Sequence, residues 1–422
     1  MTDAVSPATV QADCCVVGGG PAGLMAGFLF ARAGLRTVVL EKHADFLRDF
    51  RGDTVHPSTL QIMHELGLLD AFLQRPHQKL TRLVGRFGDE RLEIASFDGL
   101  GALCPYIAFM PQWEFLDFLA DHAVLYPNFR LLRRTEANGV IEENGRVTGV
   151  AALGPDGPVD IAARLTVAAD GRRSTLRKLA DFSVVDLGAP IDVLWFRVPK
   201  GDAAFDDTLL NVGAGRMVIT IDRGDYWQCA YVISKGGIAE VQAAGLPAFR
   251  KSVCAVVPGL AEGMQHIASW DDVKLLTVAV DRLEKWDRPG LLCIGDAAHA
   301  MSPIGGVGIN LAIQDAVAAA NLLAGPLADG TFTDDMLQRV CERRLFPTRA
   351  TQFMQVQLQN RLLAPILGNP DRQPEPPLLM RLVAGLPAVR RKAARMAGLG
   401  VRPEHVHSPI GAQPLPSGGI SS

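Results

Sequence analysis

The chain has 422 residues, with 42 Lys+Arg against 45 Asp+Glu, and its formal charge of −3 excludes a bulk basic footprint for nucleic acid. Apolar residues make up 48% and charged residues 21%, which excludes a disordered chain, and the length points to two domains. Glycine, at 42 residues, exceeds its ordinary share of about 7%.

Residues 1–11 are small and polar and read as a frayed terminus. Cys14–Val17 is a short apolar run ending at Gly18, the pattern of a buried strand. Apolar spacing predicts a helix over Leu24–Ala33, closed by Gly34, and then a second buried strand, Thr37–Leu40, ending at Glu41. This is a βαβ unit, so a parallel sheet is expected. The apolar stretch from Cys14 to Phe30 is not read as a signal peptide, because Asp3 and Asp13 stand where a basic region belongs and Gly-Gly-Gly-Pro interrupts it.

Ser58–Leu69 and Gln112–Ala123 carry amphipathic helical spacing. Residues 81–100 and 191–237 turn to short β-like runs, among them Val193–Val198 and a hairpin formed by Met217–Ile221 and Tyr226–Val232. Ala163–Ala168 and Leu291–Ile294 read as buried strands and Ile309–Leu323 as a long helix. One domain is therefore expected to interrupt the other. Its segments are 11–80, 111–180 and 281–365, against a β-rich domain of 81–110 and 181–280 and a helical, proline-rich tail over 366–422.

In that tail Arg381, Arg390, Arg391, Lys392 and Arg395 fit a helix packed on the protein with a solvated basic face, or a peripheral membrane contact. No uninterrupted apolar run of about 18 residues predicts a membrane span. Seven cysteines, an odd number without CxxC spacing, fit a reduced, cytoplasmic chain. His405 and His407 lack partner ligands, so no metal is expected.

Three segments carry chemistry. In Gly18-Gly-Gly20-Pro21-Ala22-Gly23, the first glycine permits a tight turn off the strand, Gly20 lets backbone approach a diphosphate, and Gly23 allows close helix–strand packing. Glu41 follows at the end of the second strand, where a carboxylate can bind ribose hydroxyls. The second segment is Ala168-Ala-Asp170-Gly171, followed by Arg173, Ser174 and Arg177, and it can equally be a turn and helix cap. The third is Gly295-Asp296, delivered by a buried strand, with Pro303, Gly305, Gly306, Gly308, Ile309 and Asn310 opening the long helix. Open N–H groups and a positive dipole end at that position suit a ring that becomes anionic on reduction.

Together and in this order, the three segments resemble the single-component (class A) flavoprotein monooxygenases, the p-hydroxybenzoate hydroxylase-like aromatic hydroxylases, over roughly residues 11–365. The resemblance implies an α/β fold in which a Rossmann-like FAD domain is interleaved with a β-sheet substrate domain. It places Glu41, with Lys42 beside it, at the adenosine ribose, Asp170 near the diphosphate, and Asp296 at the ribityl chain. It sets Gly308 to Asn310 at the pyrimidine edge of the flavin. Arg51 falls where the family has an arginine beside the phosphates and Gln112 where a glutamine touches the ribityl chain; Arg48 competes for the first role.

The resemblance further implies FAD as cofactor, with NADH or NADPH as a transient co-substrate and O₂. The activity implied is hydroxylation of an aromatic or other electron-rich small molecule through a flavin C4a-hydroperoxide. An isoprenoid reductase or cyclase on the same fold and a non-catalytic FAD sensor are the alternatives; the tryptophan-rich segment of the flavin halogenases is absent. On the substrate side, Trp195, Arg197 and Gln228 are candidates for a pocket wall, although a sheet with one solvated face explains the same alternation. His299 reads as a structural hydrogen-bonding residue, Cys293 as an inert buried thiol, and His56 has no assigned role.

Overall fold

The structure is a computed structural model, described here for residues 7–47, 54–201, 208–369 and 375–416, with Leu379 and Val383 as backbone only. Two large sheets organise it. In the first, Gly157–Ala168 and Thr37–Glu41 flank Ala8–Val17 in parallel register, Phe129–Arg133 continues the parallel order, and Leu291–Cys293 adds on the far side of Gly157–Ala168. Arg146–Gly154 and Glu136–Glu143 extend Gly157–Ala168 as an antiparallel meander, and Asp287–Arg288 closes the edge beside Leu291–Cys293.

The central strands are apolar on both faces because helices cover them, as parallel sheets require. The helix Pro21–Arg32 lies between Gly308–Ala328 and Gln112–Ala123, and its residues from Ala22 to Ala31 are all buried. Gly308–Ala328 belongs to the one helical stretch among the described residues that is long and apolar enough to cross a membrane, and most of that stretch is buried inside the protein.

The second sheet runs Lys274–Leu276, Ile191–Pro199, Tyr226–Ser234, Arg216–Asp222, Leu210–Gly213, Arg82–Phe87, Glu90–Ser96. Alternation along its strands sends Leu194, Phe196, Cys229 and Tyr231 to one face, against Phe249 and Val253 of the helix Leu246–Val256. The opposite residues, Val193, Trp195, Ala230 and Val232, join Leu362, Leu363 and Ile304 in another apolar cluster. This corrects the expectation of a solvated sheet face at Trp195 itself, which the segment that opens and the segment that follows the two long helices cover, while Arg197 farther along the same face stays exposed.

Three further points differ from the sequence reading, and a fourth fills out the packed-helix reading of the tail. The first strand begins at Ala8 rather than after residue 11, because Ala8 to Gln11 pair with Val159 to Ala162 of the long neighbouring strand. The helix expected over Ser58–Leu69 runs Pro57–Glu65 and restarts as the short turn Leu69–Phe72, with Gly67 between them. A 24-residue helix, Asp335–Leu358, has no counterpart in the apolar pattern, since its buried face includes Arg344, Thr348, Gln352 and Gln355. The tail forms two helices, Leu378–Gly385 and Pro387–Leu399, packed on Glu90–Ser96, with Arg381 2.7 Å from Glu90 and Arg390 3.4 Å from Glu93. Beyond them an extended segment returns across the helices of the first sheet.

All seven cysteines are free thiols and, apart from Cys254, buried. Burial pushes the Cys293 thiol well above its ordinary pKa, consistent with an inert group.

Candidate functional site

The carboxyl ends of the parallel strands carry the three glycine-bearing segments. Gly18 adopts φ +109°, and a Cβ there would lie 2.4 Å from the Ala169 carbonyl oxygen. A Cβ on Gly23 would lie 1.8 Å from the Gly18 oxygen, so the helix packs on its own entry loop. Gly20 differs, because a Cβ there would meet nothing within 4 Å. The helix that follows has Pro21 in its first turn and no side-chain cap, so its first N–H groups are open to an anion. Glu41, buried at its strand end, accepts hydrogen bonds from Gly19 N–H (Oε2, 3.0 Å) and His43 N–H (Oε1, 2.9 Å). Lys42 points outward, 3.9 Å from Glu136.

Asp170 stands beside Gly18 and caps the short helix Thr175–Leu179, accepting from Thr175 N–H (2.7 Å) and Leu176 N–H (3.2 Å). Its second oxygen is buried without a partner in the protein, and burial pushes its pKa up against those hydrogen bonds. The next turn holds a residue that sequence reasoning passed over. Arg172 donates from Nε to Asp296 (2.8 Å) and from Nη2 to the Met301 carbonyl (3.2 Å), tying the second segment to the third. Arg173 and Arg177 are as visible in sequence, but the turn sends Arg173 into solvent and buries Arg177 against Asp281 (3.3 Å) and the Arg172 carbonyl (2.7 Å). Only the direction of the turn separates the three arginines.

In the third segment the Asp296 side chain remains about one third exposed, facing Arg172. Pro303 leads into the turn Ile304–Gly306, where Gly306 has φ +62° and a Cβ would lie 2.2 Å from Thr54 Oγ1, which itself donates to the Gly306 carbonyl at 2.8 Å. The helix Gly308–Ala328 again starts without a side-chain cap, leaving the N–H groups of Gly308 and Ile309 available. The Asn310 side chain is committed elsewhere. It accepts from His56 N–H (2.9 Å) and Thr59 Oγ1 (2.7 Å) and donates to the Thr54 and Gly306 carbonyls (3.3 Å each), so only its backbone can meet a ligand.

His56 is buried behind this clamp, with Nδ1 2.7 Å from the Ala397 carbonyl, and burial pushes its pKa down to about 4. The folded chain thus binds fewer protons at His56 than the unfolded chain between about pH 6.5 and 4, and stability rises with pH across that window. Urea unfolding should lose about 2 kcal/mol to this group between about pH 7 and pH 5, and His56→Gln should flatten that slope; an unchanged slope would remove His56 as its source.

His299 lies with Nε2 2.6 Å from Asp315, the structural role expected of it. Gln112 occupies the first position of its helix and is half-buried. Arg51 and Arg48 lie outside the described residues. No group of three or more His, Cys, Asp or Glu among the described residues could hold a metal ion.

Trp195, Arg197 and Gln228 share one sheet face without sharing one environment. Trp195 is half-buried in the apolar cluster that contains Ile304. Arg197 is exposed, its guanidinium 5.3 Å from the centre of the Tyr226 ring, and lines an outer depression of about 490 Å³ with Tyr226, His266, Asp272 and Lys274. Gln228, directly across from Arg197, is buried and accepts from Arg223 Nε at 3.1 Å.

The family described as "FAD binding domain" matches residues 11–354. The 6-methylpretetramide 4-monooxygenase of Streptomyces rimosus is 32% identical over 91% of this chain and 92% of its own length. Among solved structures, the anhydrotetracycline hydroxylase from Streptomyces rimosus superposes with a TM-score of 0.73 at 23% identity, covering 94% of this chain and 77% of that one. The p-nitrophenol 4-monooxygenase from Pseudomonas putida DLL-E4 gives a TM-score of 0.74 at 20% identity, covering 93% and 100%. At these identities the structural likenesses show a common fold.

Proposed function

The chain belongs to the FAD-binding family of aromatic-hydroxylating monooxygenases, and from that membership we propose that it hydroxylates a polycyclic phenol of the tetracycline type. Its fold is the p-hydroxybenzoate hydroxylase-like α/β fold, its cofactor is FAD, and NAD(P)H and O₂ are its co-substrates. The observation that carries the substrate class is the likeness to the 6-methylpretetramide enzyme over nearly the full length of both chains.

The fit of FAD rests on the open volume at Gly20, the uncapped N–H groups of two helices, and the orphaned buried oxygen of Asp170. When bound, FAD accepts hydride from NAD(P)H and activates O₂. Gly20, Ala22 and Gly23 would hold its diphosphate through backbone N–H groups, the Gly18 and Gly19 N–H groups being donated to the Leu40 carbonyl and to Glu41, and Glu41, already fixed by the Gly19 and His43 N–H groups, would take the adenosine ribose. Asp296, oriented by Arg172, serves the ribityl side. Gly308 and Ile309, at the positive end of the long helix, would hold the edge of the flavin ring and favour negative charge there. The cofactor domain comprises 11–80, 111–180 and 281–365, and the substrate domain 81–110 and 181–280, with Trp195 turned toward the Ile304 loop where the two meet. Seven free thiols support a reducing, cytoplasmic setting.

Asp296→Ala should weaken FAD binding about tenfold or more in a titration of the apo-protein, because it removes the proposed ribityl ligand and leaves Arg172 without its carboxylate partner. Full retention of FAD would take Asp296 out of the cofactor site. The substrate class is tested by NAD(P)H oxidation with a tetracyclic phenol against p-nitrophenol. A kcat/KM at least about tenfold higher for the tetracycle is expected, and equal or reversed preference would overturn it.

A further inference from the structure

We propose that the C-terminal segment 402–415, which lies beyond the family match ending at residue 354, is a strap that forms part of the FAD site, with Glu404 as its positioning residue. The inference rests on FAD binding as read above. It is carried by a chain of buried ion pairs that starts in the strap and ends at the Gly295–Asp296 turn.

Glu404 is 3% exposed and stands between two arginines of the helix Asp335–Leu358. Arg343 donates to both of its oxygens (2.8 and 3.1 Å), and Arg344 donates to Oε1 (3.3 Å) and to the Arg402 carbonyl (3.2 Å). Arg344 is fully buried, so its charge has to be compensated by partners on every side. Its Nε donates to Asp315 Oδ1 at 2.9 Å and its Nη2 to Gln314 Oε1 at 3.4 Å. Asp315, also fully buried, takes the Gly295 N–H (3.1 Å) and His299 (2.6 Å) on its other oxygen. Both ends of the turn that presents Asp296 are thereby fixed by one carboxylate, whose arginine is in turn fixed by the strap.

The strap also laces together the helices whose N-termini face the cofactor. The Val406 N–H donates to Glu65 (2.8 Å), and Asn321 of the long helix bonds the His405 carbonyl and the His407 N–H (2.7 and 2.8 Å). The Gly411 and Ala412 N–H groups donate to the Arg32 carbonyl at the end of the first helix, and the Leu415 N–H donates to the Leu125 carbonyl. A segment that is mere tail would satisfy its own backbone in water. This one ties the diphosphate helix and the flavin-loop helix to each other.

The test compares FAD affinity with the stability of the apo-protein in the full-length chain. Glu404→Ala should raise the FAD Kd about tenfold, measured by flavin fluorescence titration, with Glu404→Asp restoring part of the loss. Arg381→Ala, which breaks an exposed pair in the same terminal region, should leave the Kd unchanged. A lower melting temperature of apo Glu404→Ala with FAD affinity intact would mean that the strap only stabilises the fold, and would overturn the proposal.

Should Glu404→Ala fail to fold, hydrogen exchange on the wild-type chain decides by reciprocity. FAD should slow exchange at Val406, His407, Gly411 and Ala412 as well as at the Gly295 turn, and no change in the strap would overturn the proposal. Failure of the wild-type chain to bind FAD would contradict the flavoprotein assignment itself, a result distinct from either outcome.

Discussion

Gly20→Val is expected to leave the apo-protein folded, with its melting temperature within about 3 °C of the parent, and to weaken FAD binding by about 100-fold or more. The two halves of that result come from one observation. A Cβ at Gly20 meets no protein atom within 4 Å, and the residue has ordinary extended backbone, so the apo-protein has no steric reason to resist a side chain there. The open volume lies at the N-terminus of a helix with no side-chain cap, where a diphosphate would approach the backbone. Gly18→Val supplies the contrast. At φ +109° with a carbonyl oxygen 2.4 Å away, it should destabilise the apo-protein itself. Equal loss of apo stability in both variants would mean that Gly20 serves folding rather than a ligand.

Asp315→Ala is expected to cost about 3–5 kcal/mol in urea unfolding, the largest stability effect of any single side chain in the cofactor region. The substitution removes one of the two carboxylates that compensate the fully buried Arg344 charge and leaves His299 and the Gly295 N–H without their acceptor. Burial pushes the Asp315 pKa up, but His299 and Arg344 outweigh it and hold the carboxyl below its ordinary value. Its folded pKa is thus depressed, so its contribution is complete above the unfolded carboxylate value of about 4 and disappears as the pH falls through the folded one. The double variant Asp315→Ala with Arg344→Met should cost clearly less than the sum of the two singles, because it removes both members of a buried pair at once. Strict additivity would show that the pair is not coupled.

The parts of the fold legible in sequence are those governed by short-range rules. Buried parallel strands read as unbroken apolar runs, so Thr37–Glu41 and the end of Ala8–Val17 stood out. Gly18 and Gly23 were recognisable because close backbone approach tolerates no side chain, and Glu41 because it closes a strand at a fixed distance from them. Illegible were the polar groups that are buried by pairing with one another. Arg344, Asp315 and Glu404 are distant in sequence and break the apolar period of their elements, so the helix Asp335–Leu358 and the strap left no pattern to follow. Arg172 was missed for a different reason, since the direction of a turn decides which of three arginines faces Asp296. Trp195, Arg197 and Gln228 alternated as a sheet should, yet whether their face met solvent depended on Ile304, Leu362 and Leu363 folding over it.

The flavin-dependent monooxygenase assignment is tested most directly by purifying the chain gently, recording its visible spectrum, and supplying NAD(P)H with a tetracyclic phenol under isotopically labelled O₂. A yellow protein is expected, with NAD(P)H oxidation accelerated by the phenol and a product heavier by one labelled oxygen atom. A colourless protein that FAD cannot reconstitute, or a product whose new oxygen comes from water, would contradict it.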